Sequence, residues 1–344
     1  MTGVGFKTAG AIKVTQEHRK DTKRDFLLEP EILNEALKNW GIDLQKVRND
    51  LPLSGSPERS VRRFVIEDKN GLLFVLERIA LKKVSRKKEM GSVLRALQHK
   101  GLGEIQAYLP TAVGNEQIAV NGNAVHQLSH YVKGEALMRP GYIFDEWRGI
   151  ALGEFLINLK KASSSGLPLR NIAPFSIFAF IDEMQQKGKR LDPALFKKID
   201  DIIDFLNSDF RVIHDRTPVI FCHGDFHPLN IIWSAAGIAA VIDWEFMGMK
   251  PEFYDVANMI GCVGIEDPNG LVGGLTHDFL TTLDSSLFLS PESRKHLPEA
   301  VLALRLAWLS VWLAKKDTEM VDIEIRYLRL LYDNIGDLKY SWGC

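Results

Sequence analysis

At 344 residues the chain is long enough for two lobes, each with its own buried core. A net charge of −1, with 46% apolar and 25% charged residues, gives no ground for a nucleic-acid or membrane partner. Three widely spaced cysteines (Cys222, Cys262, Cys344) without a C-x-x-C argue against a disulfide framework or a zinc site. With no signal-like segment at the N-terminus, and the greasiest stretch (301–314) interrupted by Arg305, a soluble cytoplasmic protein is expected.

Residues 1–29 are polar, rich in basic residues and weakly periodic, and read as an arm. Their Gly3-Val4-Gly5-Phe6-Lys7-Thr8 run lacks both the spacing and the preceding strand of a phosphate loop. Pro30 opens a predicted helix with Ile32, Leu33, Ala36, Leu37 and Trp40 on one face and Gly41 as its stop. A small-residue loop follows at 53–60, containing Gly55 and Ser56. It leads into a strand over 61–67, an Asn70-Gly71 turn and a returning strand over 72–79. Such a loop can lay backbone N–H groups over phosphates, although Gly and Ser also serve turn geometry alone. A helix is predicted over 87–100, then a second hairpin with strands at 117–120 and 124–132. From Gly141 the pattern is helical, with a stripe of Trp147, Ile150, Ala151, Phe155 and Leu159 and further helices over 175–187 and 193–209.

The stretch 221–245, FCHGDFHPLNIIWSAAGIAAVIDWE, carries the chemistry. A polar loop from His223 to Asn230 is followed by apolar strands at 231–233 and 238–242, with a turn around Gly237, and the second strand ends on Asp243. A buried hairpin of this kind presents Asp225, Asn230 and Asp243 at one end, three oxygen donors suited to a hard cation such as Mg²⁺. Singly each Asp reads as a turn residue; the joint spacing is what argues otherwise. After it, Asp255 opens a helix, and the segments 271–287 and 292–340 are helical. Trp308 and Trp312 share a face, as helix-packing core or as walls of a cage for a quaternary ammonium.

His223-Gly224-Asp225-Phe226-His227-Pro228-Leu229-Asn230 fits the kinase catalytic-loop pattern H-x-D-x-x-x-x-N, with Asp243 where the metal-binding Asp of D-F-G falls. Together with Ile242-Asp243-Trp244-Glu245 it resembles the aminoglycoside phosphotransferase and choline kinase superfamily, small-molecule relatives of the protein kinases. The resemblance is strongest over 219–262. It implies an α+β, bilobal protein-kinase-like fold, with a small β-rich N-lobe (30–128), a hinge (129–134) and a larger, mainly helical C-lobe (135–344). It also implies ATP or GTP with Mg²⁺. Asp225 is then the base that orients the acceptor, Asn230 and Asp243 hold the metal, and Glu245 acts through a metal-bound water. Gly55 and Ser56 cover the phosphates, and the backbone near Ser129 and Tyr131 meets the nucleobase. Asp255 steadies the catalytic loop.

One departure stands out. Relatives carry a phosphate-pairing Lys on the strand where alternation here puts Glu77. Arg78 replaces it if a bulge shifts the register, or Lys82 or Lys83 swings in, with Glu89 as a possible partner for the strand cation. The expected activity is transfer of the γ-phosphoryl group to a hydroxyl of a small metabolite, a sugar or amino sugar, by a monomer or weak homodimer. A choline- or homoserine-type amino alcohol kinase and a nucleotide-binding pseudokinase are the alternatives. Carboxylates lining the acceptor wall, with Glu252, Glu266 and Asp267 as candidates, would favour a cationic acceptor. With Gly224 in the place of an Arg and no A-P-E segment, a protein acceptor is not expected.

Overall fold

The computed structural model describes residues 30–55, 60–114, 116–121, 124–170 and 175–344. α1 (Pro30–Leu37) tightens into a 3₁₀ turn over Lys38–Trp40, and Gly41 stops it at φ 68°. The helix buries Leu33, Ala36, Leu37 and Trp40 and leaves Ile32 in solvent. β1 (Leu44–Val47), β2 (Arg62–Asp68), β3 (Leu73–Ile79), α2 (Val84–His99), β4 (Ala119–Asn121) and β5 (Ala124–His130) follow. The strands form one antiparallel sheet in the order β1-β2-β3-β5-β4. Alternation along β3 sends Phe74 and Leu76 into a core with Leu37, Ile66 and Leu128, and turns Val75 and Glu77 to the opposite face. The sequence pattern does not announce β1, whose four residues are half-buried or exposed at the sheet edge.

Beyond this sheet the chain is mainly helical. α3 (Glu146–Ser163) packs along α9 (Gly274–Ser285), and a Cβ at Gly153 would stand 2.8 Å from Thr282, so the close approach needs glycine there. α4 (Ile177–Leu191) is followed by broken helix. The single helix predicted over 193–209 is instead α5 (Pro193–Phe196), α6 (Asp200–Phe205) and a π turn over Leu206–Phe210 leading into α7 (Arg211–Arg216). Asp192 caps α5 through the Leu195 N–H, and the break at Ile199 keeps Leu195, Phe196, Ile202 and Ile203 all buried.

Four short strands come next. β6 (Val219–Cys222) pairs with β9 (Gly248–Pro251), and β7 (Ile231–Ser234) with β8 (Gly237–Val241), both antiparallel. Around them stand α3, α8 (Tyr254–Glu266), α9, α10 (Pro291–Lys295), α11 (Leu297–Lys315), α12 (Thr318–Asp333) and α13 (Ile335–Trp342). α11 is longer than 301–314, and by length and composition it is apolar enough to cross a bilayer. Its position explains that character, because Leu297, Val301, Leu304 and Leu309 are buried against neighbouring helices. Arg305, which interrupts it, is buried on Glu324 of α12 through a bidentate pair at 2.6 and 2.5 Å.

Candidate active site

β6 feeds the loop that begins at His223, and a buried carboxylate shapes that loop. Asp255, in the first turn of α8, accepts the N–H groups of His223 (2.6 Å) and Gly224 (2.8 Å). Its carboxylate thus serves the neighbouring loop and not its own helix. Gly224 has φ 85°, and a Cβ there would run into the Phe246 carbonyl oxygen, so only glycine fits. His223 bridges two strand ends: its Nδ1 accepts the Asp225 N–H (3.2 Å) and its Nε2 donates to the Ile242 carbonyl (2.9 Å). These partners fix the tautomer and make the ring a structural part. Asn230 Nδ2 donates to the Asp225 carbonyl (2.8 Å) and to Asp225 Oδ2 (3.1 Å). His227 Nε2 lies 3.5 Å from Asp225 Oδ1. Asp225 and Asn230 are therefore one hydrogen-bonded unit.

Asp243 arrives from β8 in the left-handed region (φ 70°, ψ 50°), a strained backbone for a non-glycine residue. Its carboxylate faces the small-residue loop, where a Cβ on Gly55 would stand 2.9 Å from Asp243 Oδ1. Arg63 holds that loop by donating to the carbonyls of Ser54 (2.8 Å) and Gly55 (2.9 Å). Ser56 lies outside the described residues. Asp243 lines a cavity together with Ser129, Tyr131, Val75, Glu77 and Lys87. The Tyr131 hydroxyl donates to the Pro52 carbonyl (3.1 Å), closing the loop over this cavity.

The strand cation is not Arg78. β3 pairs with β2 and β5 without a bulge, so Glu77 keeps the cavity face and Arg78 turns to the other, where its charge acts on His126. Glu77 accepts hydrogen bonds from Ser60 Oγ (2.7 Å) and Gln127 Nε2. Opposite it, α2 supplies what the strand lacks. Lys87 is buried and its Nζ sits 2.7 Å from Glu245 Oε1. Burial alone would depress this ammonium, but the nearby carboxylates of Glu77 and Glu245 are among the groups that raise it above the ordinary lysine range. Glu89 does not meet a strand cation; it accepts from Arg86 Nη1 and the Arg170 N–H, both at 2.8 Å. Sequence reasoning passed over Lys87, although a carboxylate at a phosphate-facing strand position signals that a cation must come from elsewhere.

A second cavity of about 660 Å³ opens on the other side of the loop, with Asp225, Gly224, Lys250, Phe175, Tyr254 and Trp308 in its walls. Glu245 lines both cavities. Among the described residues no three His, Cys, Asp or Glu side chains group as a metal cage. Asn230 and Asp243 instead suit a hard cation that brings its own phosphate oxygens, the usual habit of Mg²⁺. A cleft with two oxygen donors, and a carboxylate facing a separate cavity, are parts that phosphoryl transfer requires.

A family model described as the phosphotransferase enzyme family matches residues 55–289. The chain belongs to that family. No curated protein matches it by sequence. The phosphotransferase fold is shared with an aminoglycoside phosphotransferase from Alicyclobacillus acidocaldarius (TM-score 0.58, 14% identity, 90% of this chain and 93% of that one). It is also shared with an amicoumacin kinase in complex with AMP-PNP, Ca²⁺ and Ami (TM-score 0.62, 12% identity, 89% and 93%). A third similar structure is a choline kinase from Streptococcus pneumoniae (TM-score 0.60, 15% identity, 88% and 98%). The predicted α+β, kinase-like architecture is the observed one.

In this phosphotransferase, burial pushes Asp255 up to about 6 although two N–H groups favour its ionised form. Between 3.8 and about 6 the folded chain therefore holds a proton that the unfolded chain releases, and folding stability falls as pH rises across that window. Asp255→Asn lacks this titration. In urea unfolding from pH 4 to pH 7, the stability of the wild type relative to Asp255→Asn is expected to drop by ~3 kcal/mol. A constant difference would contradict the shift.

Proposed function

We propose that this phosphotransferase moves the γ-phosphoryl group of ATP or GTP, bound with Mg²⁺, onto a hydroxyl of a small polyol or sugar derivative. One observation carries this reading: Asp225 faces the second cavity while Asp243 faces the first, and Asn230 is hydrogen-bonded to Asp225 between them. Phosphoryl transfer asks a protein chiefly for alignment and charge neutralisation. Asp225 accepts the proton of the acceptor hydroxyl and holds it in line. The Asn230 amide donates to Asp225, which leaves its carbonyl oxygen for the metal beside the Asp243 carboxylate. Bound Mg²⁺ supplies charge neutralisation at the phosphates. Lys87, buried in the cleft and oriented by Glu245, takes the phosphate-pairing role that a strand lysine would otherwise fill.

A cationic amino alcohol fits poorly. Glu252 is spent on the Ser290 N–H (2.8 Å), Glu266 on Arg139 and the Tyr142 hydroxyl (both 2.7 Å), and Asp267 on the Asn269 N–H (2.9 Å). None of the three lines the acceptor cavity. A pseudokinase is disfavoured because Lys87 restores the cation that Glu77 displaces.

Asp225→Asn is expected to slow turnover by ~10²–10⁴ while nucleotide affinity stays within about threefold, the signature of a lost base. Unchanged turnover would refute the role. Lys87→Met is expected to raise the nucleotide Kd about 10- to 100-fold, the worth of a charge-assisted contact. Equal affinity in isothermal titration would return the phosphate contact to some other residue.

A further inference from the structure

We infer that the acceptor is an anion: a hydroxyl compound bearing a carboxylate or phosphate group next to an apolar portion, with the phosphotransfer reading of the site as premise. The carrier of this inference is Lys250. It comes from β9 and is 6% exposed. Its Nζ lies 4.3 Å from the Phe175 ring centroid and 4.5 Å from that of Tyr254. No hydrogen bond or ion pair to a described residue holds it. A Cβ built on Gly224 would stand 2.8 Å from Lys250 Cε, so the side chain runs beside the loop that presents Asp225. Burial depresses its pKa against the opposing pull of the nearby Asp255 carboxylate.

The nucleotide does not account for this charge. Lys250, and Lys315 from the end of α11, line the second cavity and not the first, whereas Lys87 lines both. The carboxylates in the second cavity are Asp225, assigned to the proton, and Glu245, paired with Lys87. A cationic acceptor would meet Lys250, and both of these carboxylates already have a role. Two of the aromatic faces in this wall that could meet a quaternary ammonium, Phe175 and Tyr254, are already covered by the lysine itself. An anion instead gives Lys250 a hydrogen-bonded partner, which no described residue supplies, and the same charge repels amines, so selectivity has an attractive and a repulsive part. Leu304, Val311 and Trp308 offer the apolar portion a dry wall.

Two matched sets of acceptors separate the possibilities: 3-phenyllactate, its amide and phenylalaninol, and glucose 6-phosphate, glucose and glucosamine. Affinity is measured by calorimetry on the full chain loaded with Mg²⁺ and a non-hydrolysable ATP analogue. The anionic member of one or both sets is expected to bind about tenfold or more tightly than its neutral partner, with the amine weakest; the set that responds tells carboxylate from phosphate. Lys250→Met, which keeps the packing against both rings, is expected to erase that preference, while Lys250→Arg keeps it and both variants melt near the wild type. Preference for the neutral or cationic members, no binding of either anion, or an intact preference in Lys250→Met would each overturn the inference. Mg²⁺-dependent nucleotide affinity on the same samples tests the phosphotransfer reading separately. Its loss beside a surviving anion preference would sink that reading and leave the charge selection standing.

Discussion

The site depends on one buried carboxylate beneath its central loop. Asp255 takes two consecutive N–H groups, from His223 and Gly224, that would otherwise be stranded in the interior. Once these are held, His223 ties the loop to the end of β8 through the Ile242 carbonyl, and Asp225 is fixed against Asn230. The carboxylate is itself uncomfortable there, as its upward-shifted pKa indicates, so precision at the loop is obtained at a cost in stability. Asn258 extends the support one turn further along α8 by donating to the Phe226 carbonyl, and it receives the Trp308 indole N–H in turn. The acceptor wall and the catalytic loop therefore share one hydrogen-bonded frame.

Charge in the cleft is arranged in an exchanged pattern. Glu77 on β3 turns a carboxylate into the cleft, and Lys87 on α2, held by Glu245, supplies a cation in the same cavity. Because Lys87 belongs to α2 and Glu245 follows β8, their pairing also joins the sheet half of the molecule to the helical half. Arg86 reinforces that junction by donating to the Glu245 and Met247 carbonyls.

What could be read from the residues follows from where local rules decide the outcome. The hairpins at Asn70-Gly71 and Gly237, the stop at Gly41 and the spacing from His223 to Asn230 are set by turn chemistry and short-range alternation, and the strands and loop fall within a residue or two of expectation. Arg78 would reach the cleft only through a bulge that the β2–β3–β5 register does not contain. Glu89 turned to Arg86 and Arg170 because helix phase, which sequence fixes only loosely, decides which side meets the cleft. The break at Ile199 answers to burial on several sides at once, a tertiary demand invisible in a helical pattern. Nothing in the chain marks Lys250; it is packed against the rings of Phe175, distant in sequence, and Tyr254, four residues on.

The meeting of the metal donors with the nucleotide is the claim on which the functional proposal stands. Crystals grown with Mn²⁺ and a non-hydrolysable nucleoside triphosphate would locate the cation directly by its anomalous signal. We expect the peak between the Asp243 carboxylate, the Asn230 amide oxygen and the phosphate oxygens, with the base beside Ser129 and Tyr131. A peak away from both side chains, or a triphosphate seated outside the cleft between Gly55 and Lys87, would contradict it.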